Sequence, residues 1–307
     1  MMRGVLLGPQ RLAPIVDRAA DMLGIEGRIA AITAGWQERE AEDQELCAAL
    51  GNRAVNLMLH QRAETIFRED PELFAAHRAK QDRLRQLQDL YRLRLASHLK
   101  AARRVQIAHA PRDLIEAELE EAIQALRLLD AHHVVKTQHI QAEFDRKTRP
   151  LERPSVIRQL REIDDILSTC KGVAIAGGHV AVLYNRMRLF DLTPRIAGLP
   201  IIAWSAGAMV VSSRIVLFHD NPPQGRGNAE VLEGGLGLFP GVVPLPHARR
   251  RLNLGDPGRI TVFARRFAPA TCVALDERCF LHFEGPRWTA GPNTFQLRTD
   301  GHLVALQ

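Results

Sequence analysis

The sequence predicts a mostly parallel α/β sheet flanked by helices, with one long helical hairpin inserted into it. Three observations carry this expectation. Short apolar runs alternate with helix-patterned stretches over residues 1–59 and again after residue 152, which is the texture of β-α-β units. Between them no glycine occurs from residue 72 until Gly172, and Leu84, Leu87, Leu90, Leu93, Leu95 and Leu99 recur among Arg, Gln and Ala, as in long helices. Finally, PIIAWSAGAMVV at 200–211 runs an apolar strand straight into Ser205-Ala206-Gly207, a sharp turn from strand into helix.

Taken in order, GVLLG reads as the first strand, PIVDRAADMLG as a helix, RIAAITAGWQ as a second strand and RAVNLMLH as another. From about residue 72 two long helices follow, broken near Ala110-Pro111, because proline lacks an amide donor and suits the first turn of a new helix. Residues 73–109 hold nine Lys/Arg against two Asp/Glu, and residues 111–147 hold five against eight. Opposite charge favours an antiparallel hairpin, although each exposed pair contributes only about 0.2–1 kcal/mol. The expected organisation is an α/β domain of residues 1–59 and 152–307 with a helical insertion over 60–151. That insertion reads either as a solvated addition without chemistry or as an arm for a partner, and its leucine stripe, if exposed, would suit a homodimer. Behind Pro154-Ser155, the spacing of Ile157, Leu160, Ile163, Ile166 and Leu167 predicts a helix. GVAIAGG is then a buried strand, residues 179–197 a helix, and Ala206–Ser212 the helix after Ser205. The remainder, with turn signals at Gly234-Gly235, Asp256-Pro257-Gly258 and Gly291-Pro292-Asn293, reads as strands ending in hairpins.

Composition narrows the function. With 307 residues, 46% hydrophobic and 25% charged, the chain can bury a full core and carry a second module. No apolar run approaches the roughly 18 residues needed to span a bilayer, and MMRGVLLGPQ lacks the pattern of a secretory signal, so a soluble cytoplasmic protein off the membrane is expected. Cys47, Cys170, Cys272 and Cys279 form no Cys-x-x-Cys pair and sit in apolar stretches; they read as buried thiols, with neither a metal nor a cofactor implied. The net charge of +6 permits an acidic partner without pointing to nucleic acid.

The strand-turn-helix context of Ser205 is that of a nucleophile elbow, although Ser-Ala-Gly also satisfies any tight turn, and Ala203 replaces the first glycine of Gly-x-Ser-x-Gly. A serine hydroxyl needs a base. His247, which follows the apolar run GVVPLP, is the leading candidate, against the alternative of a surface histidine among arginines; His219, His282 and His302 are less well placed. For the orienting acid, Asp220 comes first, with Glu230 and Glu233 as rivals. Oxyanion donors are available in the amides of Ala206 and of Gly177-Gly178, since loops at the carboxyl ends of parallel strands share one cleft. The paired glycines match neither Gly-x-Gly-x-x-Gly nor a phosphate-binding loop, which argues against nucleotide.

These residues resemble the serine peptidases that include dipeptidase E (aspartyl dipeptidase) and cyanophycinase, which share the class I glutamine amidotransferase-like, flavodoxin-like fold. The matching pieces are IDDILSTCKGVAIAGGHVAVL, GLPIIAWSAGAMV, EGGLGLFPGVVPLPH and CVALDERCFLHFEG with the tail after it, in the family's order, together with GVLLG and RIAAITAGW. The resemblance covers residues 1–59 and 152–307. It implies Ser205 as nucleophile, His247 as base, the amides of Gly178 and Ala206 as oxyanion donors, and metal-independent cleavage of peptide or isopeptide bonds next to aspartyl residues. His179 stands where the family usually has an amide side chain and would face substrate. An aspartyl carboxylate would need a cation, for which Arg214, Arg226, Arg249 and Arg250 are available; Arg249 is taken here as the substrate-binding candidate. Two rival readings are an inactive scaffold that binds a protein partner through the helical insertion, and an α/β-hydrolase esterase with its histidine in the tail.

Overall fold

The computed structural model describes residues 2–218 and 227–306. The chain opens with β1 (Arg3–Leu7), α1 (Val16–Met22), β2 (Arg28–Ile32), α2 (Gln44–Ala49), β3 (Ala54–Asn56) and α3 (Leu59–Glu69). RAVNLMLH is strand for three residues only. Met58 turns left-handed at φ 51°, and both carboxylate oxygens of the buried Glu40 accept the amides of His60 and Gln61, so the donors at the start of α3 are satisfied and a helix begins.

Two long helices follow, α4 (Pro71–Gln106) and α5 (Arg112–Thr148), with Pro111 as the N-cap of α5. The two helices run antiparallel: Lys80 lies against Phe144 and Tyr91 bonds to Asp130. Apolar burial rather than opposite charge closes this hairpin. Leu84, Leu95, Leu99, Leu119, Ile123, Leu126 and Leu129 are all buried, whereas Arg83–Glu143 is a charge pair between the two helices in an exposed setting. Several other pairs tie the hairpin to the α/β body, among them Arg92–Glu230, Arg265–Glu116 and Arg188–Asp145. Much of the leucine stripe is thus covered within the chain, leaving Leu90 and Leu93 exposed. At the neck, Asp70 caps α4 and takes a 2.8 Å ion pair from Arg153.

The body resumes with α6 (Pro154–Ser168), β4 (Cys170–Ile175), α7 (Val180–Leu189), α8 (Leu192–Ile196), β5 (Ile201–Trp204) and α9 (Ala206–Val211). The helix expected over 179–197 is divided, because Asp191 adopts a left-handed conformation (φ 43°) that ends one helix and caps the next. Next come β6 (Arg214–Leu217), β7 (Glu230–Gly234), β8 (Val242–Pro246), α10 (Ala248–Arg251), α11 (Pro257–Phe267), β9 (Thr271–Leu275), β10 (Phe280–Glu284), β11 (Arg287–Ala290), β12 (Phe295–Leu297) and β13 (Leu303–Ala305). Here the reading of the last third as strands alone is corrected. Asp256-Pro257-Gly258 is no hairpin turn but the start of α11, with the Asp256 carboxylate accepting the Arg259 amide at 3.0 Å and Pro257 in the first turn.

A seven-stranded sheet has the order β11-β10-β1-β5-β4-β2-β3, parallel from β1 through β3, with β10 and β11 antiparallel on one edge. A four-stranded sheet, β13-β12-β9-β8, pairs β8 and β9 in parallel, and β6 with β7 forms an antiparallel ribbon. In the large sheet Leu7 pairs with Trp204, Ile175 with Ala203 and Ile32 with Ile175. Four carboxyl ends are therefore level, and the loops leaving them converge. The four cysteines are free thiols; Cys170, Cys272 and Cys279 are buried as expected, whereas Cys47 is only half-buried. Among the described residues no helix is long and apolar enough to cross a membrane.

Candidate active site

Ser205 sits on the turn from β5 into α9 at φ 50°, ψ −119°, a backbone conformation that non-glycine residues rarely hold and that surrounding structure must enforce. The enforcement is visible. The Ser205 amide donates to Leu7 O at the end of β1, and the Ser205 carbonyl accepts the Met209 amide, which starts α9. Gly207 lets that helix approach β4, since a Cβ there would stand 2.3 Å from the Ile175 carbonyl oxygen. Turning the chain this abruptly projects the side chain above the sheet and leaves the first-turn amide of Ala206 in the same space.

The loop after β4 covers the serine. A Cβ on Gly177 would lie 2.8 Å from Ser205 Cβ, so only glycine fits. Gly178 takes φ 110° and presses on the backbone of Gly35, while the His179 amide donates to Gly35 O at 2.7 Å. Among the described residues the amides of Gly178 and Ala206 have no carbonyl partner, and both flank Ser205; they are donors awaiting an oxygen. His179 is exposed at the cleft, but its Nδ1 accepts the Val182 amide and caps α7, so its first role is local.

His247 belongs to the other sheet. It follows β8 in a left-handed turn (φ 58°) and its amide donates to Leu275 O at the end of β9. The next residue, Asp276, begins the turn into β10, whose Cys279 carbonyl accepts the Gly8 amide beyond β1. Gly8 packs so tightly on Asp276 that a Cβ there would meet the Asp276 oxygen at 1.8 Å. Through Leu7, Gly8 and Asp276, the turns carrying Ser205 and His247 are thus linked at the same carboxyl end of the molecule. No hydrogen bond joins the Ser205 hydroxyl to His247 among the described residues, an arrangement that often tightens only with substrate bound. Burial holds the His247 imidazole below the usual histidine range, assisted by Arg251 and Arg250 and opposed by Glu277. It is therefore neutral near pH 7, the state a general base needs.

The candidate acids separate. Asp220 lies outside the described residues, as do His219 and Arg226. Glu230 is bound bidentately by Arg92 of α4, and the buried Glu233 accepts from Gln141 of α5 at 2.8 Å, so both carboxylates serve the hairpin. His282 pairs with Val5 in mid-sheet, and His302 sits in the exposed turn before β13, which gives the esterase reading no histidine at the Ser205 turn. Arg249 is exposed beside the Asp276 turn: its amide donates to Asp276 at 3.2 Å, its guanidinium lies 3.7 Å from the same carboxylate and 5.7 Å from the Phe295 ring centre.

Sequence reasoning missed the loop partners Gly8, Gly35 and Asp276. The signal was present, since each stands within three residues of the carboxyl end of a buried strand, the rule that singled out Gly177 and Gly178. It missed Gln37 as well, held at φ 59°, ψ −123° three residues after the start of a 3₁₀ turn leaving β2.

The sequence model of peptidase family S51 matches residues 130–290. Among solved structures, the chain is similar to a peptidase from an acI-B1 Actinobacterium, at 11% identity and a TM-score of 0.46 over 100% of this chain and 93% of that one. No curated protein matches it.

Proposed function

The chain belongs to peptidase family S51, and on that premise we propose that it is a serine peptidase that works through an acyl-enzyme, without a metal, on a peptide or isopeptide bond next to an aspartyl residue. The observation that carries this reading is the strained Ser205 turn enclosed by Gly177, with the unpaired amides of Gly178 and Ala206 beside it. His247 takes the Ser205 hydroxyl proton as the oxygen attacks the carbonyl carbon. The two amides hold the oxyanion, and the proton passes to the leaving amine. Water then repeats the sequence on the ester. Asp220, which lies outside the described residues, is the acid that this reading assigns to His247. Arg249, half-neutralised by Asp276 at the cleft mouth, receives the aspartyl carboxylate, and His179 lies along the substrate.

A fluorophosphonate probe tests the nucleophile. Wild-type protein should label at one serine, and Ser205→Ala and His247→Ala should each abolish labelling while leaving the circular dichroism spectrum unchanged. Labelling that persists in Ser205→Ala would overturn the assignment. The missing Ser205–His247 hydrogen bond favours a second reading, an inactive scaffold acting through its hairpin; folded wild-type protein that resists both the fluorophosphonate and a smaller sulfonyl fluoride would favour it.

A further inference from the structure

A cavity of about 350 Å³ lies where the end of α5 and the 149–152 turn meet the far end of α7. Six apolar residues line much of it: Phe144, Pro150, Leu151, Met187, Leu189 and Leu236. Most of its charges are matched, since Arg188 pairs with Asp145 at 3.0 Å and Arg149 with Glu152 at 3.4 Å. Lys80 is different. It lines the cavity, its residue is only 8% exposed, and its Nζ rests 4.1 Å from the centre of the Phe144 ring without an ion pair to any described carboxylate. A buried ammonium without a hydrogen-bonded counter-ion is energetically unfavourable, and a cation-π contact offsets only part of the desolvation. The volume is in the range of small-molecule sites, which are largely apolar with a few fixed polar groups.

We propose that this cavity is a binding site for a small monocarboxylate with an apolar tail, the carboxylate pairing with Lys80 and the tail lying against Phe144, Met187 and Leu189. One unmatched cation calls for one negative charge; a phosphate would bring more charge than Lys80 alone offers, and the neighbouring arginines are already engaged. The site is separate from the Ser205 cleft, because α7 presents its first turn to that cleft and its last turn to the cavity, roughly 15 Å apart for ten residues. It does not depend on the peptidase reading.

Lys80 also has a recognisable titration. Burial is the main cause of a pKa lowered to about 8, and the charged groups around it are Arg188 and Arg186 on α7, Asp145 on α5 and Glu233 on β7, with the neutral His77 on its own helix. A bound carboxylate favours the ammonium, so binding at pH 8.5 should take up protons.

Hexanoate is the probe, titrated calorimetrically into the full chain carrying Ser205→Ala, with hexylamine and inorganic phosphate alongside. Hexanoate should bind more tightly than either control and take up protons at pH 8.5. Lys80→Met should weaken it at least tenfold, Lys80→Arg should restore it, and Met187→Trp, which fills the cavity, should block it. In unmutated protein, hexanoate should also protect Lys80 from acylation by a succinimidyl ester, read by peptide mass spectrometry, which holds even where a substitution disturbs folding. Hexanoate binding that ignores both Lys80→Met and Met187→Trp, absence of hexanoate binding, or equal acylation of Lys80 with and without hexanoate would each overturn the proposal.

Discussion

Asp130→Ala should unfold the attachment of the hairpin to the body, and the size of the effect can be worked from its contacts. Asp130 is 0% exposed and the Arg266 side chain 1%. The carboxylate takes two hydrogen bonds from the guanidinium, at 2.7 and 2.8 Å, and a third from Tyr91 at 2.8 Å. Arg266 further donates to Ala229 O at 2.7 Å and to the Tyr91 hydroxyl at 2.9 Å, while Tyr91 stacks on His133 at 4.1 Å and accepts the Val231 amide. Removing Asp130 leaves a guanidinium in the core with only neutral acceptors. Breaking a buried pair this way destabilises by about 3–5 kcal/mol, whereas replacing both partners by apolar groups is often neutral. Against a typical total of about 5–15 kcal/mol, the single change removes a large fraction of the stability.

Urea denaturation followed by circular dichroism is the assay, comparing wild type, Asp130→Ala, the double variant Asp130→Ala/Arg266→Met, and Arg39→Ala as an exposed control. The midpoint should fall steeply for Asp130→Ala, recover in the double variant and stay in place for the control. A loss below about 1 kcal/mol, or a double variant weaker than Asp130→Ala, would refute the reasoning.

Three further outcomes follow from the same geometry. Gly177→Ala brings a methyl against Ser205 and should lower kcat on the order of 10²-fold at a stability loss of about 1–3 kcal/mol, measured by kinetics and urea melts together; unchanged turnover would mean that the loop after β4 does not enclose the reacting serine. A base kept below the ordinary 6.5 by burial and by Arg251 should give a kcat/KM that falls only in acid, and Arg251→Met should move that limb to higher pH, an immobile limb pointing to another base. The buried His77, held at about 3 by burial and then by Lys80 and Arg186, is neutral in the fold and charged in the unfolded chain below 6.5. The stability it secures is whole above 6.5 and drains as pH falls toward 3, by up to about 1.4 kcal/mol per pH unit, so urea midpoints taken from pH 7 to 4 should decline less steeply in His77→Phe.

Local chemistry made much of this molecule legible in one dimension. The strands GVLLG, RIAAI and GVAIAGG, the break at Pro111 and the turn at Ser205 are each fixed by residues adjacent in the chain: apolar runs, a missing amide donor, a glycine where no Cβ fits. Asp256-Pro257-Gly258 shows where that logic becomes ambiguous, since the same three residues begin a hairpin or a helix, and only the burial of Ile260, Phe263 and Phe267 against the second sheet and the hairpin decides for α11. Glu230 and Glu233 are a second instance. As sequence they are acids near a histidine, but their partners Arg92 and Gln141 lie 138 and 92 residues away, and no local pattern announces a contact across that separation. The sequence by itself determined the α/β class, the helical hairpin, and the serine and glycines of the elbow, because these depend on backbone sterics and periodicity. Only the tertiary structure decided that the hairpin is bolted to the body by Asp130 and Arg266, and that His247 reaches the serine's end of the molecule from a second sheet, because burial and ion pairing are properties of surfaces that meet only after the chain has folded.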